Sequence, residues 1–267
     1  MIRDISDLYH KDTYLNKNVD SIINRRIIEY DLKSANTSLC KEYSLLPETT
    51  INKIESMKKS DRVVAIGKLQ RKDKEFNSNL KDSFRDIRKR FFYSNELEDK
   101  DILSIKKDAI FCLKECRDTQ FGKCKFVEKN IYTSYIYLDE RLEIFYGARG
   151  KSFDEPKLDI KGISDTILER HEYFMLNFFK SLFKHVEAGN EATLFRYINR
   201  FISQYKHLQL PVGYYREFNN ASLIRLNDMD EVFEDETFIP FEHKHEHLNI
   251  DYNFFNVLLP LVKILLN

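Results

Sequence analysis

Asp31 stands at the end of an apolar run in "RIIEYDLKSANTSL", Arg26 to Leu39, and a small polar turn-like segment follows it at once. A second carboxylate, Asp108, lies 77 residues later in "DILSIKKDAIFCLK", between the short apolar runs Ile102–Ile105 and Ala109–Leu113. Two carboxylates at neighbouring strand ends can hold two Mg²⁺ ions about 3.5–4 Å apart, which activate an attacking 3′-hydroxyl and stabilise a leaving pyrophosphate. Acids suit this task because a hard dication takes oxygen ligands and leaves other positions to substrate phosphates. The plainer reading is that Asp31 caps a turn, since Asp-x-x-Ser is turn chemistry, and that Asp108 is a hairpin-turn residue.

For the acids to meet, Ile27–Leu32 must be a strand, and Lys106-Lys107-Asp108 must join two strands as a β-hairpin. Pro47-Glu48 starts a helix running to Lys59, and Ser60-Asp61 starts another. The second is expected as one long basic helix from Arg62 to about Phe92. Its apolar positions Val63, Ile66, Leu69, Phe76, Leu80, Phe84, Ile87 and Phe91 recur near the helical period. Further strands are read at Lys125–Val127, Tyr132–Leu138, Leu142–Tyr146 and Lys157–Lys161. After Gly162 the pattern turns helical, in "TILERHEYFMLNFFKSLFKHVE" and "EATLFRYINRFISQYKHL", with Gly189 between them. No internal repeat is found.

Composition bounds the reading. The chain has 267 residues, 42% hydrophobic and 32% charged, with 43 basic and 43 acidic side chains. It is therefore globular rather than disordered. The charges are unevenly spread: Lys53–Lys107 holds 16 basic and 10 acidic residues, Glu217–Asp251 holds 2 and 10. Four cysteines (Cys40, Cys112, Cys116, Cys124) and a polar N-terminus point to reduced thiols in a cytoplasm. Cys112, Cys116 and Cys124 lack the spacing and the fourth ligand of a zinc site. No run is long enough to span a bilayer. The apolar tail "FFNVLLPLVKILL" is read as a buried or partner-binding helix. His243, His245 and His247 in "EHKHEH" would share a face only on a strand. "GARGKS" is too short for a phosphate loop. Richness in Asn, Lys, Ile, Tyr and Phe, with no Trp, is a bias common in phages and low-GC bacteria.

The order of these motifs resembles the palm domain of template-dependent polymerases, family B DNA polymerases most of all, over Ile27–Ser164. "YDLKSANTSL" is similar to that family's first palm motif, with Asp31, Ser34, Ala35, Asn36 and Thr37 on matching positions. "SIKKDAIFCL" is similar to its hairpin motif, with Asp108 on the second acid and Lys106 on the first. "KNIYTSYIYL" resembles the Lys-x-Tyr segment, giving Lys129 and Tyr132, and "LDIKGIS" the Lys-Gly-Ile segment, giving Lys161 and Gly162.

The resemblance implies an α+β fold: an antiparallel palm-like sheet of about five strands backed by helices, with a C-terminal helical thumb-like region. Residues 1–26 would be an N-terminal arm, 27–165 the palm with minimal fingers at 47–92, and 166–267 the thumb and acidic part. It implies two Mg²⁺ (or Mn²⁺) on Asp31 and Asp108, and nucleotide binding by Lys68, Arg71, Lys72, Lys74 and Asn36. It further implies contact of Lys129, Tyr132, Lys161 and Gly162 with a nucleic-acid primer and template, in a bacterial host cytoplasm if phage-encoded. There are departures. Asn36 replaces the aromatic that bars the ribose 2′-hydroxyl, Lys106 replaces an acid, and the residues before the first motif leave no room for a proofreading exonuclease. The alternatives are a non-catalytic palm-like subunit of a phage polymerase or virion assembly, meeting partners through the apolar tail, and a metal-dependent nuclease on the same acids.

Overall fold

A computed structural model of the protein describes residues 5–138, 142–148, 156–162, 177–207 and 209. The chain divides into two compact units, one comprising the segment up to Asn18 with Arg26–Ile131, the other Val19–Arg25 with the chain from Tyr132 onward. The fold is α+β, with antiparallel sheets backed by helices.

The first unit contains α1 (Ser6–Tyr9), β1 (Thr13–Leu15), β3 (Ile27–Leu32), α2 (Ala35–Glu42), α3 (Glu48–Glu55), α4 (Lys59–Lys72), α5 (Lys74–Ser94), β4 (Ile102–Lys106), β5 (Ala109–Cys112), β6 (Gln120–Phe121) and β7 (Cys124–Tyr132). Its six-stranded sheet has the order β1-β4-β5-β3-β7-β6. β3 is therefore a central strand, flanked by the second strand of the β4–β5 hairpin and by β7. The register is Ile28↔Cys112, Glu29↔Phe111, Tyr30↔Ile110 and Asp31↔Ala109.

Because side chains alternate along a strand, β3 has two chemically different faces. Ile28, Tyr30 and Leu32 join Ile105, Ile110 and Cys112 in a core completed by Leu39 and Cys40 of α2 and Leu80, Ile87, Phe91 and Phe92 of α5. Glu29 and Asp31 point to the other face. The helices lie on the core face because their apolar residues recur at three and four: Phe76, Leu80, Ile87 and Phe91 of α5 are all buried. The ring of Phe91 packs against Phe126 at 4.3 Å and Tyr30 at 5.4 Å between centroids.

The single long helix expected over 62–92 is two helices. Asp73 breaks it: its backbone is extended (φ −120°, ψ 105°) and its side chain accepts a hydrogen bond from the Phe76 N–H, the geometry of an N-cap. The step of seven from Leu69 to Phe76 keeps helical phase across the break, which is why periodicity alone does not register it. The segment read as an N-terminal arm carries α1, β1 and β2 (Ser21–Ile22). β1 forms the sheet edge against β4, with Tyr14 opposite Ile105.

The second unit has its own four-stranded sheet, in the order β10-β9-β8-β2, built from β8 (Ser134–Leu138), β9 (Leu142–Ala148), β10 (Lys157–Lys161) and β2. The strands expected to continue one sheet beyond Lys125 thus divide between two. Residues 177–187 are helical and are called α6; α7 (Glu191–Lys206) follows. Phe178, Phe179, Leu182 and Phe183 are buried, as is Ile198, and Phe183 stacks on Tyr146 at 4.8 Å. The apolar tail, the His243–His247 cluster and most of the region expected as thumb lie outside the described residues.

Candidate functional site

β3 carries Asp31 to the last pair of its ladder, opposite Ala109. Asp108 is the neighbour of that alanine, in the two-residue turn between Lys106 and Ala109, which pair with each other. The Leu32 N–H donates to the Asp108 carbonyl at 3.0 Å. The two acids therefore stand side by side at the end of adjacent strands, and both line one cavity of about 400 Å³.

The cavity's second wall is made by a local backbone feature. Ser34 adopts the left-handed conformation (φ 49°, ψ 45°) directly after the strand, a conformation rare for residues other than glycine. It turns the chain sharply enough that the first turn of α2, with Ala35, Asn36 and Thr37, also lines the cavity. No side chain caps this helix, so its first N–H groups lack intrahelical partners and present the positive end of the helix dipole. The Thr37 hydroxyl bonds back to the Ser34 carbonyl at 3.1 Å. Lys59 and Arg62, from the start of α4, complete the wall with two cations.

Charges around Asp31 are balanced between signs. The Lys129 ammonium sits 3.3 Å from Glu29 and 4.0 Å from Asp31. Asn130 donates to the other oxygen of Glu29 at 2.5 Å. Burial pushes the Asp31 carboxyl above its ordinary range, and Asp108 and Glu29 push the same way against the opposing pull of Lys129 and Lys59. Burial works against the Lys129 ammonium, but Glu29 and Asp31 outweigh it and hold its pKa above the usual lysine value.

The Asp108 turn is held from behind. Lys107 has a positive φ of 57°. Arg88 of α5, 2% exposed, donates to the carbonyls of Lys107 at 3.1 Å and Tyr9 at 2.9 Å, and also to that of Lys11. The Lys107 N–H donates to the Asp12 carbonyl at 2.8 Å. One buried guanidinium thus ties the turn to residues 9–11, and burial pulls its pKa down to about 10.

The residues singled out from sequence are distributed as follows. Asp31, Asp108 and Asn36 line the cavity, and Lys129 pairs with Asp31 without lining it. Lys68, Arg71, Lys72 and Lys74 are exposed and do not line it. Arg71 lies nine residues beyond Arg62, about 14 Å along the helix axis at 1.5 Å per residue. Tyr132 is buried in the second unit, its hydroxyl donating to Asp159. Lys161 ends β10 in that unit and Gly162 follows with φ 99°. Lys106 is half-buried at the end of β4.

Sequence reasoning missed Lys59, Arg62 and Glu29. Glu29 was findable, since a period of two puts it on Asp31's face. Among the described residues, no group of three or more His, Cys, Asp or Glu is placed to hold a metal ion, and all four cysteines are buried free thiols. The chemistry of Asp31 and Asp108 nevertheless fits Mg²⁺, which is held in phosphoryl-transfer sites by one or two carboxylates with substrate phosphates and water as its other ligands.

Fold and site together define an α+β protein with an acid pair at a strand end beneath a cationic wall. The chain belongs to the family described as Bacteriophage PBS1 gene 130 protein, whose sequence model matches residues 3–267. No curated protein matches it. Among the described residues, no helix is long and apolar enough to cross a membrane.

Proposed function

We propose that this phage protein is a nucleotidyltransferase of the palm type, extending a nucleic-acid primer with nucleoside triphosphates. The observation that carries the reading is the convergence of Asp31 and Asp108 from neighbouring strands onto one cavity whose opposite wall offers Lys59, Arg62 and the unpaired N–H groups of α2. That wall suits a triphosphate: helix N-termini and fixed cations bind phosphate oxygens. Asp31 and Asp108 would hold two Mg²⁺, which when bound supply the positive charge that lowers the 3′-hydroxyl pKa and stabilises the leaving pyrophosphate.

The chain's own part is positioning. Ser34 aims the α2 amides, Arg88 fixes the turn that bears Asp108, and Lys129 orients the Asp31 carboxylate while balancing Glu29. Lys59 and Arg62 take the role that sequence reasoning gave to Lys68, Arg71, Lys72 and Lys74. Asn36, at the cavity wall, is small enough to admit a ribose 2′-hydroxyl.

One observation favours a second reading. Lys129 already compensates Asp31 at 4.0 Å, and an acid so paired needs no metal. On that reading the protein is a non-catalytic palm-like subunit of a phage assembly. Primer extension separates the two. The enzyme reading expects extension by the wild type with Mg²⁺ or Mn²⁺, abolished by Asp31→Asn or by Asp108→Asn. Each tenfold in rate corresponds to about 1.4 kcal/mol, and loss of a metal-holding acid removes several. Wild-type inactivity with both metals on RNA and DNA templates, with any natural partner present, excludes the polymerase reading and favours the subunit one.

A further inference from the structure

The N-terminal segment tied down by Arg88 carries a feature that the acid cavity does not use. Tyr9 and His10 lie with ring centroids 4.2 Å apart, and Tyr93 of α5 lies 6.3 Å from Tyr9. Tyr93 is 52% exposed, one of the few large hydrophobic side chains on the surface. The Lys89 ammonium is 5.7 Å from the Tyr9 centroid and 6.0 Å from that of Tyr93. Lys11, two residues on from Tyr9, sits 5.5 Å over the ring of Tyr14. Among the described residues neither ammonium has a carboxylate partner, and each rests on aromatic faces instead. Asp12, the nearest acid along the chain, faces Arg88 at 3.9 Å.

We infer that this cluster is a binding site for single-stranded nucleic acid, with Tyr9, His10 and Tyr93 stacking on bases and Lys89 and Lys11 meeting the phosphates. Sequence-tolerant single-strand binding combines these two elements, aromatic faces on which successive bases stack and positive charge along the backbone path. A duplex offers no comparable fit, because its bases are already stacked on one another and show the protein only their edges. The exposed aliphatic pair Val63 and Val64 lies elsewhere, on α4.

Position adds to chemistry. The same guanidinium that donates to the Tyr9 and Lys11 carbonyls also donates to that of Lys107, the residue before Asp108. A strand lying across Tyr93, Tyr9 and Lys11 therefore runs toward the turn that bears the acid. The binding site does not depend on the acids being catalytic, so it can be tested apart from them.

The test is fluorescence anisotropy of the full chain with labelled oligothymidylate and oligouridylate of about 12 nucleotides, within the site sizes usual for such surfaces, and with a duplex of the same length. The expected result is binding of the single strands in preference to the duplex. Tyr9→Ala with Tyr93→Ala should weaken it by tenfold or more, and Tyr93→Phe should leave it unchanged because a phenyl ring still stacks. Lys89→Gln should lower the slope of log affinity against log salt by about one. Tyr93→Ala alone removes a half-exposed ring, so it keeps the test valid if the double variant unfolds, and it should weaken binding severalfold. Tyr93→Ala should leave Mn²⁺ binding at the acid cavity as in the wild type, which separates failure of this site from failure of the acid cavity. Absence of single-strand binding, equal affinity for duplex, or unchanged affinity in folded Tyr93→Ala would each overturn the proposal.

Discussion

The two faces of β3 both bury side chains and are chemically opposed. Tyr30 is 0% exposed and Glu29 1%, yet Tyr30 packs on Phe91 while Glu29 is wrapped by Lys129 and Asn130. On one face burial is the driving force for folding. On the other it is a penalty, since charged groups lose hydration and recover it only through partners.

Substitutions should therefore act in opposite ways on the two faces. The largest effect is expected in the core: Phe91→Ala, which empties a site between Tyr30, Phe126 and Phe121, should destabilise by about 3–5 kcal/mol in denaturant unfolding. Next comes the link between the faces. Arg88→Met leaves the carbonyls of Tyr9, Lys11 and Lys107 without a donor and should destabilise by about 1–3 kcal/mol or more. Its distinguishing mark is a loss of metal and nucleotide binding in the fraction that remains folded, because the Asp108 turn is released.

The smallest effect on stability, and the opposite sign, belongs to the acid face. Burial raises the Asp31 pKa, so ionisation of Asp31 opposes folding at neutral pH. Asp31→Asn should raise the melting temperature slightly there. As pH falls through the raised folded-state value toward the ordinary 3.8, wild-type Asp31 takes up its proton in the folded state first, and the advantage of the variant should fade. Melting curves of both proteins across that range check the sign. An advantage that grew on acidification would mean that Lys129 and Lys59, rather than burial, dominate the carboxylate.

Much of this was legible in the chain because it is local. β3 shows itself as an apolar run, the β4–β5 hairpin as two runs around Lys107-Asp108, and the closeness of the acids follows once those strands are neighbours. What was not legible is set by tertiary placement. Periodicity gives a helix its apolar stripe but not which turn of it overlooks a cavity, so Lys59 and Arg62 were passed over for the denser cluster around Arg71. The division of the later strands into two sheets leaves no mark in their alternation. Arg88 was visible in principle: it lies four residues after Phe84 and three before Phe91, a cation on an apolar stripe, which needs a buried set of acceptors to explain it.

The central claim, that Asp31 and Asp108 form a metal site under a triphosphate-binding wall, is tested most directly by Mn²⁺ titration followed by electron paramagnetic resonance, with and without a non-hydrolysable nucleoside triphosphate. The account predicts that the wild type binds Mn²⁺ and binds it more tightly with nucleotide. Asp31→Asn and Asp108→Asn should each lose that binding, and Lys59→Ala with Arg62→Ala should lose the nucleotide enhancement alone. Mn²⁺ binding that is absent in the wild type, or unchanged in both acid variants, would contradict it.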